Sequence, residues 1–135
     1  MSIKKKFLYI NRKAPHGTIY ALESLEVVLI GTAFEQDVSL AFIDDGVYQL
    51  LDGQDTSSIG TKNFSPTFRA LGDYGVKNIY IEKESLEARG LNRTDLMQLV
   101  WENEETGSNR EDSIQILASE TLADIIDQQD VILSF

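Results

Sequence analysis

The chain has 135 residues, 42% of them apolar and 25% charged, and carries a formal charge of −10 at pH 7. That size fits one domain spanning residues 1–135, and such a composition excludes wholesale disorder. The absence of cysteine excludes disulfides, thiolate nucleophiles, persulfide carriage and thiolate metal sites on this chain, and the single histidine excludes a histidine metal cluster.

No apolar run approaches the roughly 20 residues that span a bilayer. Lys4-Lys5-Lys6 precedes only a short apolar run, Phe7–Ile10, before Asn11-Arg12-Lys13. A secretory signal needs about 7–15 apolar residues, so the expected location is the cytoplasm, with no membrane partner. Residues 1–20 hold five basic residues and no acid, while the remainder holds seven basic and twenty-two acidic residues. Such a field repels phosphate backbones, and no direct nucleic-acid partner is expected. The basic start is read as a solubilising flank rather than a docking site for an acidic partner.

Short apolar runs alternate with amphipathic segments, the pattern of an α/β protein with a parallel sheet flanked by helices. The expected strands are Phe7–Ile10, Val38–Ile43, Val76–Ile81, Ile114–Leu117 and Val131–Phe135. The loop after the first, Arg12–Thr18, stands where open α/β sheets bind ligands, and His16, Gly17 and Thr18 are its candidate anion-binding residues. It lacks both the dinucleotide and the P-loop glycine patterns, and no motif implies a cofactor. A capped loop with an ordinary histidine is the preferred reading.

A helix is expected from about Thr18 to Phe34. Leu22, Leu25, Val28, Leu29 and Ala33 form a stripe suited to lying on the sheet. Tyr20, Val27, Ile30 and Phe34 form a second stripe, which either lies beneath a neighbouring element or makes a subunit interface. Asp44-Asp45-Gly46 follows the second strand. Two adjacent carboxylates suit a hard cation, but no further acid stands at a matching spacing, so a turn is preferred.

Ser65 and Pro66 read as the start of another helix, with Phe68 and Leu71 inward and Gly72 or Gly75 closing it. Glu84–Arg89 reads as a short helix stopped by Gly90. Periodicity leaves Leu96–Trp101 open between helix and strand, and the polar run Glu102–Asp112 reads as an exposed loop. A last helix starts at Ser119 or Thr121 and runs to about Gln128. No serine has a Gly-x-Ser-x-Gly context, and the lone imidazole assembles no triad. The residues indicate no enzyme.

Several segments taken together resemble one family: Asn11–Thr18, Asp44–Leu51, Asn63–Phe68, Leu71–Tyr74, Ser85–Leu91 and Asp130–Phe135. Ala-Pro-His-Gly-Thr combined with Asp-Gly-Val-Tyr-Gln-Leu-Leu is its most specific part. In order and spacing they are similar to the DsrF/TusC subunits of DsrEFH/TusBCD sulfur-relay complexes. The resemblance implies a three-layer α/β/α domain with a mainly parallel five-stranded sheet. It also implies a heterohexamer holding two copies each of this chain, a DsrE/TusD-like subunit and a DsrH/TusB-like subunit, with a DsrC/TusE-like sulfur carrier as a further partner. In that family the persulfide cysteine belongs to the DsrE/TusD subunit. Counting back from Gly90 puts Glu82 at the corresponding position here, and a carboxylate offers no thiolate. The implied role is therefore non-catalytic, as a structural subunit of a sulfurtransferase complex. Asn11–Pro15 and Thr18–Glu23 resemble the DsrF branch, of sulfur oxidation, more than the TusC branch, of tRNA wobble-uridine thiolation. The second stripe and Tyr48, Gln49, Leu50 and Leu51 are the expected interface. The reading from another class is a stand-alone α/β protein that binds a small ligand near His16 and Asp44.

Overall fold

The computed structural model describes residues 5–13, 28, 37–51, 68, 71–102 and 110–135. Seven strands are present in them: β1 (Lys6–Asn11), β2 (Asp37–Phe42), β3 (Asn78–Glu82), β4 (Val100–Glu102), β5 (Arg110–Asp112), β6 (Ile114–Leu117) and β7 (Val131–Ser134). Two helices follow strands, α1 (Lys83–Ala88) after β3 and α2 (Ser119–Asp127) after β6. Five strands form one sheet in the order β6-β3-β2-β1-β7, and every pair in it is parallel. The expected α/β class and the five strand positions hold, with ends shifted by a residue or two.

Strand periodicity divides the side chains between two faces. On one face Tyr9 registers with Leu40, Leu40 with Ile79, and Ile79 with Ile114. These residues belong to the larger core cluster, with Val38, Phe42, Ile81, Phe68 and Leu71. Phe42 and Phe68 meet edge to face at 6.0 Å, a favourable arrangement of ring quadrupoles. Val28 is helical and fully buried in the same cluster, as its place in the sheet-facing stripe requires. The opposite face carries Leu8 and Ala41, covered by Leu122 and Ile126 of α2.

Two expectations need correction. Asp44–Leu50 is a 3-10 helix of seven residues rather than a simple turn. The polar run Glu102–Asp112, expected as an exposed loop, has strand at both ends, and Leu96–Trp101, left open between helix and strand, ends in a strand. Leu96 bridges Leu51, and Val100–Glu102 pairs antiparallel with Arg110–Asp112. Leu96, Met97 and Leu99 are buried, and the N–H of Met97 donates to the Leu50 carbonyl at 2.8 Å. Burial of these apolar residues holds the segment against the core, while the exposed Gln98 stays in water. Residues 103–109 of the polar run lie outside the described residues.

Candidate functional site at the carboxyl edge of the sheet

In a parallel sheet the strands all end at one edge, and the connections leaving that edge form the usual ligand rim. Here the rim comprises Arg12 and Lys13 after β1, the 3-10 helix after β2, α1 after β3, and Ala118–Ser119 after β6. Asn11, the last residue of β1, is buried, and its carbonyl accepts the N–H of Ile43 at 3.1 Å. A Cβ on Gly46 would stand 2.0 Å from that same carbonyl oxygen. Only a residue without a side chain lets the β2 loop close onto β1 this tightly.

Glu82 ends β3 and organises the rim. One of its carboxylate oxygens accepts the Ser85 hydroxyl, and the other accepts the Ser119 hydroxyl at 3.1 Å. Ser85 Oγ in turn accepts the N–H of Asp44 at 2.9 Å. Asp44 adopts φ of 51°, in the left-handed region that costs a non-glycine residue about 1 kcal/mol or more. The bond to Ser85 helps hold it there. Glu82 thus ties together the ends of β2, β3 and β6 through one hydrogen-bonded chain.

A second layer is ionic. Arg89 donates from Nε and Nη2 to one Asp45 oxygen at 3.1 and 3.0 Å, and from Nη1 to the Ser85 carbonyl at 3.1 Å. Its guanidinium lies 6.0 Å from the Tyr48 ring centroid. Arg12 reaches Asp44 at 3.6 Å. Asp44 and Asp45 therefore face different arginines instead of converging, and among the described residues no group of three His, Cys, Asp or Glu gathers that could hold a metal ion. Glu84 accepts the N–H of Ser119 at 2.8 Å. Hydrogen bonding from Ser119 holds the Glu84 carboxyl below its usual range. Elsewhere, burial pushes the Tyr9 and Tyr80 phenols up.

Of the residues singled out from sequence, His16, Gly17, Thr18, Tyr20, Val27, Ile30 and Phe34 lie outside the described residues. The Tyr48–Leu51 segment is divided. Leu50 is fully buried in the chain's own core, and the expectation that it makes an interface is corrected: its side chain has no surface to offer. Gln49 is buried too, and its Nε2 donates to the Lys13 carbonyl at 2.8 Å, which ties the β2 loop to the first loop. Tyr48 and Leu51 keep partial exposure. Sequence reading missed Ser85 and Arg89 as rim residues. Their partners lie 41 and 44 residues away, and no local pattern signals such contacts.

The described residues define an α/β protein with an open parallel five-stranded sheet and a serine-bonded carboxylate where β3 ends. The DsrE/DsrF-like family model matches residues 5–135, and the chain belongs to that family. It is 53% identical over 133 residues, 98% of both chains, to the intracellular sulfur oxidation protein DsrF of Allochromatium vinosum. It is 39% identical over 89 residues to a TusC homolog of Vibrio vulnificus, covering 66% of this chain and 75% of that one. The crystal structure of the ychN protein from E. coli superposes with a TM-score of 0.72 at 21% identity, covering 98% of this chain and all of the other, and shows the shared fold.

Proposed function

We propose that this chain is a DsrF-type, non-catalytic subunit of a cytoplasmic DsrEFH-type heterohexamer in dissimilatory sulfur oxidation. The observation that carries this reading is the pair of serine hydroxyls bonded to Glu82, one on each carboxylate oxygen. By resemblance, that position answers to the one from which a related subunit presents its persulfide cysteine. A carboxylate held by two donors neither accepts nor passes sulfane sulfur. The chain's contribution is then to bind a DsrE-like and a DsrH-like subunit, two copies of each, and to shape the approach of a DsrC-like carrier. It acts as one domain over residues 1–135, without cofactor, nucleic acid or membrane contact. The high identity to DsrF over nearly the whole chain supports this branch over the TusC relay for tRNA thiolation, where similarity is lower and shorter.

The surface assigned to the partners is the stripe Tyr20, Val27, Ile30 and Phe34 together with Tyr48 and Leu51. Coexpression with DsrE-like and DsrH-like partners, followed by native mass spectrometry, is expected to give two copies of each chain. Loading with labelled sulfane sulfur is expected to mark the partner and leave this chain unlabelled. A stable monomer that ignores both partners, or label on this chain, overturns the reading. The monomer outcome would favour a stand-alone ligand-binding protein with its site near His16 and Asp44.

A further inference from the structure

Asp44 stands in the left-handed region although it is not a glycine, and the peptide joining it to Ile43 is held at both ends. The N–H of that peptide donates to Ser85 Oγ at 2.9 Å, and its carbonyl accepts the N–H of Gly46 at 2.9 Å. Ile43 itself is extended, with φ of −132° and ψ of 164°. Ser85 is buried, so its hydroxyl depends on partners within the protein. A hydroxyl has one proton, and Ser85 donates it to Glu82. Toward the peptide, Ser85 is therefore an acceptor only.

We infer that the Ile43–Asp44 peptide is a two-position switch at the rim, and that Glu82 sets it through Ser85. A half-turn of the peptide plane reverses its N–H and carbonyl while leaving the two flanking Cα atoms nearly in place. Asp44 then leaves the left-handed region for negative φ, and Ile43 moves from extended backbone toward the sparsely allowed bridge region. Each position strains one residue, so the hydrogen bonds decide between them. In the position seen here Ser85 accepts from Asp44, and the Gly46 N–H closes the first turn of the 3-10 helix. In the turned position the Ile43 carbonyl faces Ser85 and is satisfied only when the hydroxyl leaves Glu82 and donates to it. While the Ser85 hydroxyl is bound to Glu82, the present position wins.

Turning frees the Gly46 N–H in a loop packed against the Asn11 backbone, at the ligand edge of the sheet. A hydrogen-bond acceptor offered there by a bound molecule favours the turned position, and the turned position in return binds that molecule more tightly. The switch needs no partner subunit, so it stands or falls apart from the assembly proposed above.

Residue-resolved amide hydrogen exchange on the full chain reads the switch. Gly46 loses its acceptor when the peptide turns. Ile43, whose N–H donates to the Asn11 carbonyl at 3.1 Å, lies outside the rotating bonds and serves as the reference. Ser85→Ala removes one hydrogen bond from the present position and should speed Gly46 exchange about 2–10-fold relative to Ile43. Glu82→Ala should speed it more, because the freed Ser85 hydroxyl also donates to the turned carbonyl. Asp44→Gly removes the cost of φ at 51° and should slow Gly46 exchange about 5–30-fold, in the wild-type chain and in the Ser85→Ala background alike. A bond with a merely structural role gives another pattern: Asp44 alone exchanges faster and Gly46 is unmoved. That pattern overturns the inference. So does Ile43 exchanging faster in step with Gly46, which marks a loop that unravels rather than a peptide that turns. Unchanged Gly46 exchange in Asp44→Gly rejects the strained position as a state of the switch, and Glu82→Ala no faster than Ser85→Ala rejects its control by Glu82.

Discussion

Glu84 caps the helix that Ala118 is unable to cap. Ala118 occupies the N-cap position of α2 and has no side-chain acceptor, whereas the Glu84 carboxylate accepts the Ser119 N–H at 2.8 and 3.2 Å from 35 residues away. A cap normally comes from the residue beside the helix. Here it comes from α1, so the amino end of α2 and the end of β3 are fixed to each other, and a negative charge faces the positive end of the helix.

The first prediction follows from that charge. The folded-state pKa of Glu84 is lowered, so its contribution is present above the unfolded glutamate range and is lost as pH falls through the folded value. Glu84→Gln keeps an acceptor and removes the charge. Thermal melts are expected to show the variant less stable than wild type at pH 7, with the gap narrowing below the ordinary glutamate range of about 4.3. A gap that is unchanged down to pH 3 would mean that the charge contributes nothing.

Glu82 is predicted to be structural. Glu82→Ala strips the acceptor from two serine hydroxyls and should cost roughly 1.5–3 kcal/mol, the range for a hydrogen bond to a charged group. Denaturant titration measures this directly. Combining it with Ser85→Ala should cost less than the sum of the two single changes, because both act on one network. Strict additivity would argue against the chain from Asp44 through Ser85 to Glu82.

Two glycines are predicted to be required for different reasons. Gly46→Ala forces a Cβ onto the Asn11 backbone and should cost about 1–3 kcal/mol or more. Gly90 has open space around it but φ of 67°, so only conformation resists a side chain there. Gly90→Asn should be tolerated better than Gly90→Val, since asparagine enters the left-handed region far more readily. Equal melting temperatures for the two Gly90 variants would contradict this.

Much of the sheet was legible because strands buried on both faces read as short aliphatic runs, as at Val38–Ile43. The rim was legible only in part. Its punctuation, Asp44-Asp45-Gly46 and Gly90, is local and visible, but Ser85 and Arg89 gain their meaning from partners brought close by the parallel crossover. The β4–β5 pairing was hidden for another reason. Its two strands have three residues each and include Glu102, Arg110, Glu111 and Asp112, so neither length nor hydropathy marks them. Leu50 misled because an apolar residue in a family-like motif can be core as readily as interface.

Arg89 carries the last prediction. It donates to Asp45 twice and to the Ser85 carbonyl once, joining the 3-10 helix to α1, while Tyr48 lies beside its guanidinium. A planar fork makes these contacts simultaneously, and a lysine ammonium does not. Arg89→Lys should therefore be destabilised nearly as much as Arg89→Ala, by about 1 kcal/mol. The ionic share is small, because the Asp45 side chain is 60% exposed and water and salt screen such a pair. Melts with and without 0.5 M salt should accordingly differ little between wild type and the two variants. If lysine restored full stability, charge alone would be sufficient and the hydrogen bond to the Ser85 carbonyl would be dispensable. If high salt erased the difference, the pair with Asp45 would outweigh the geometry of the fork.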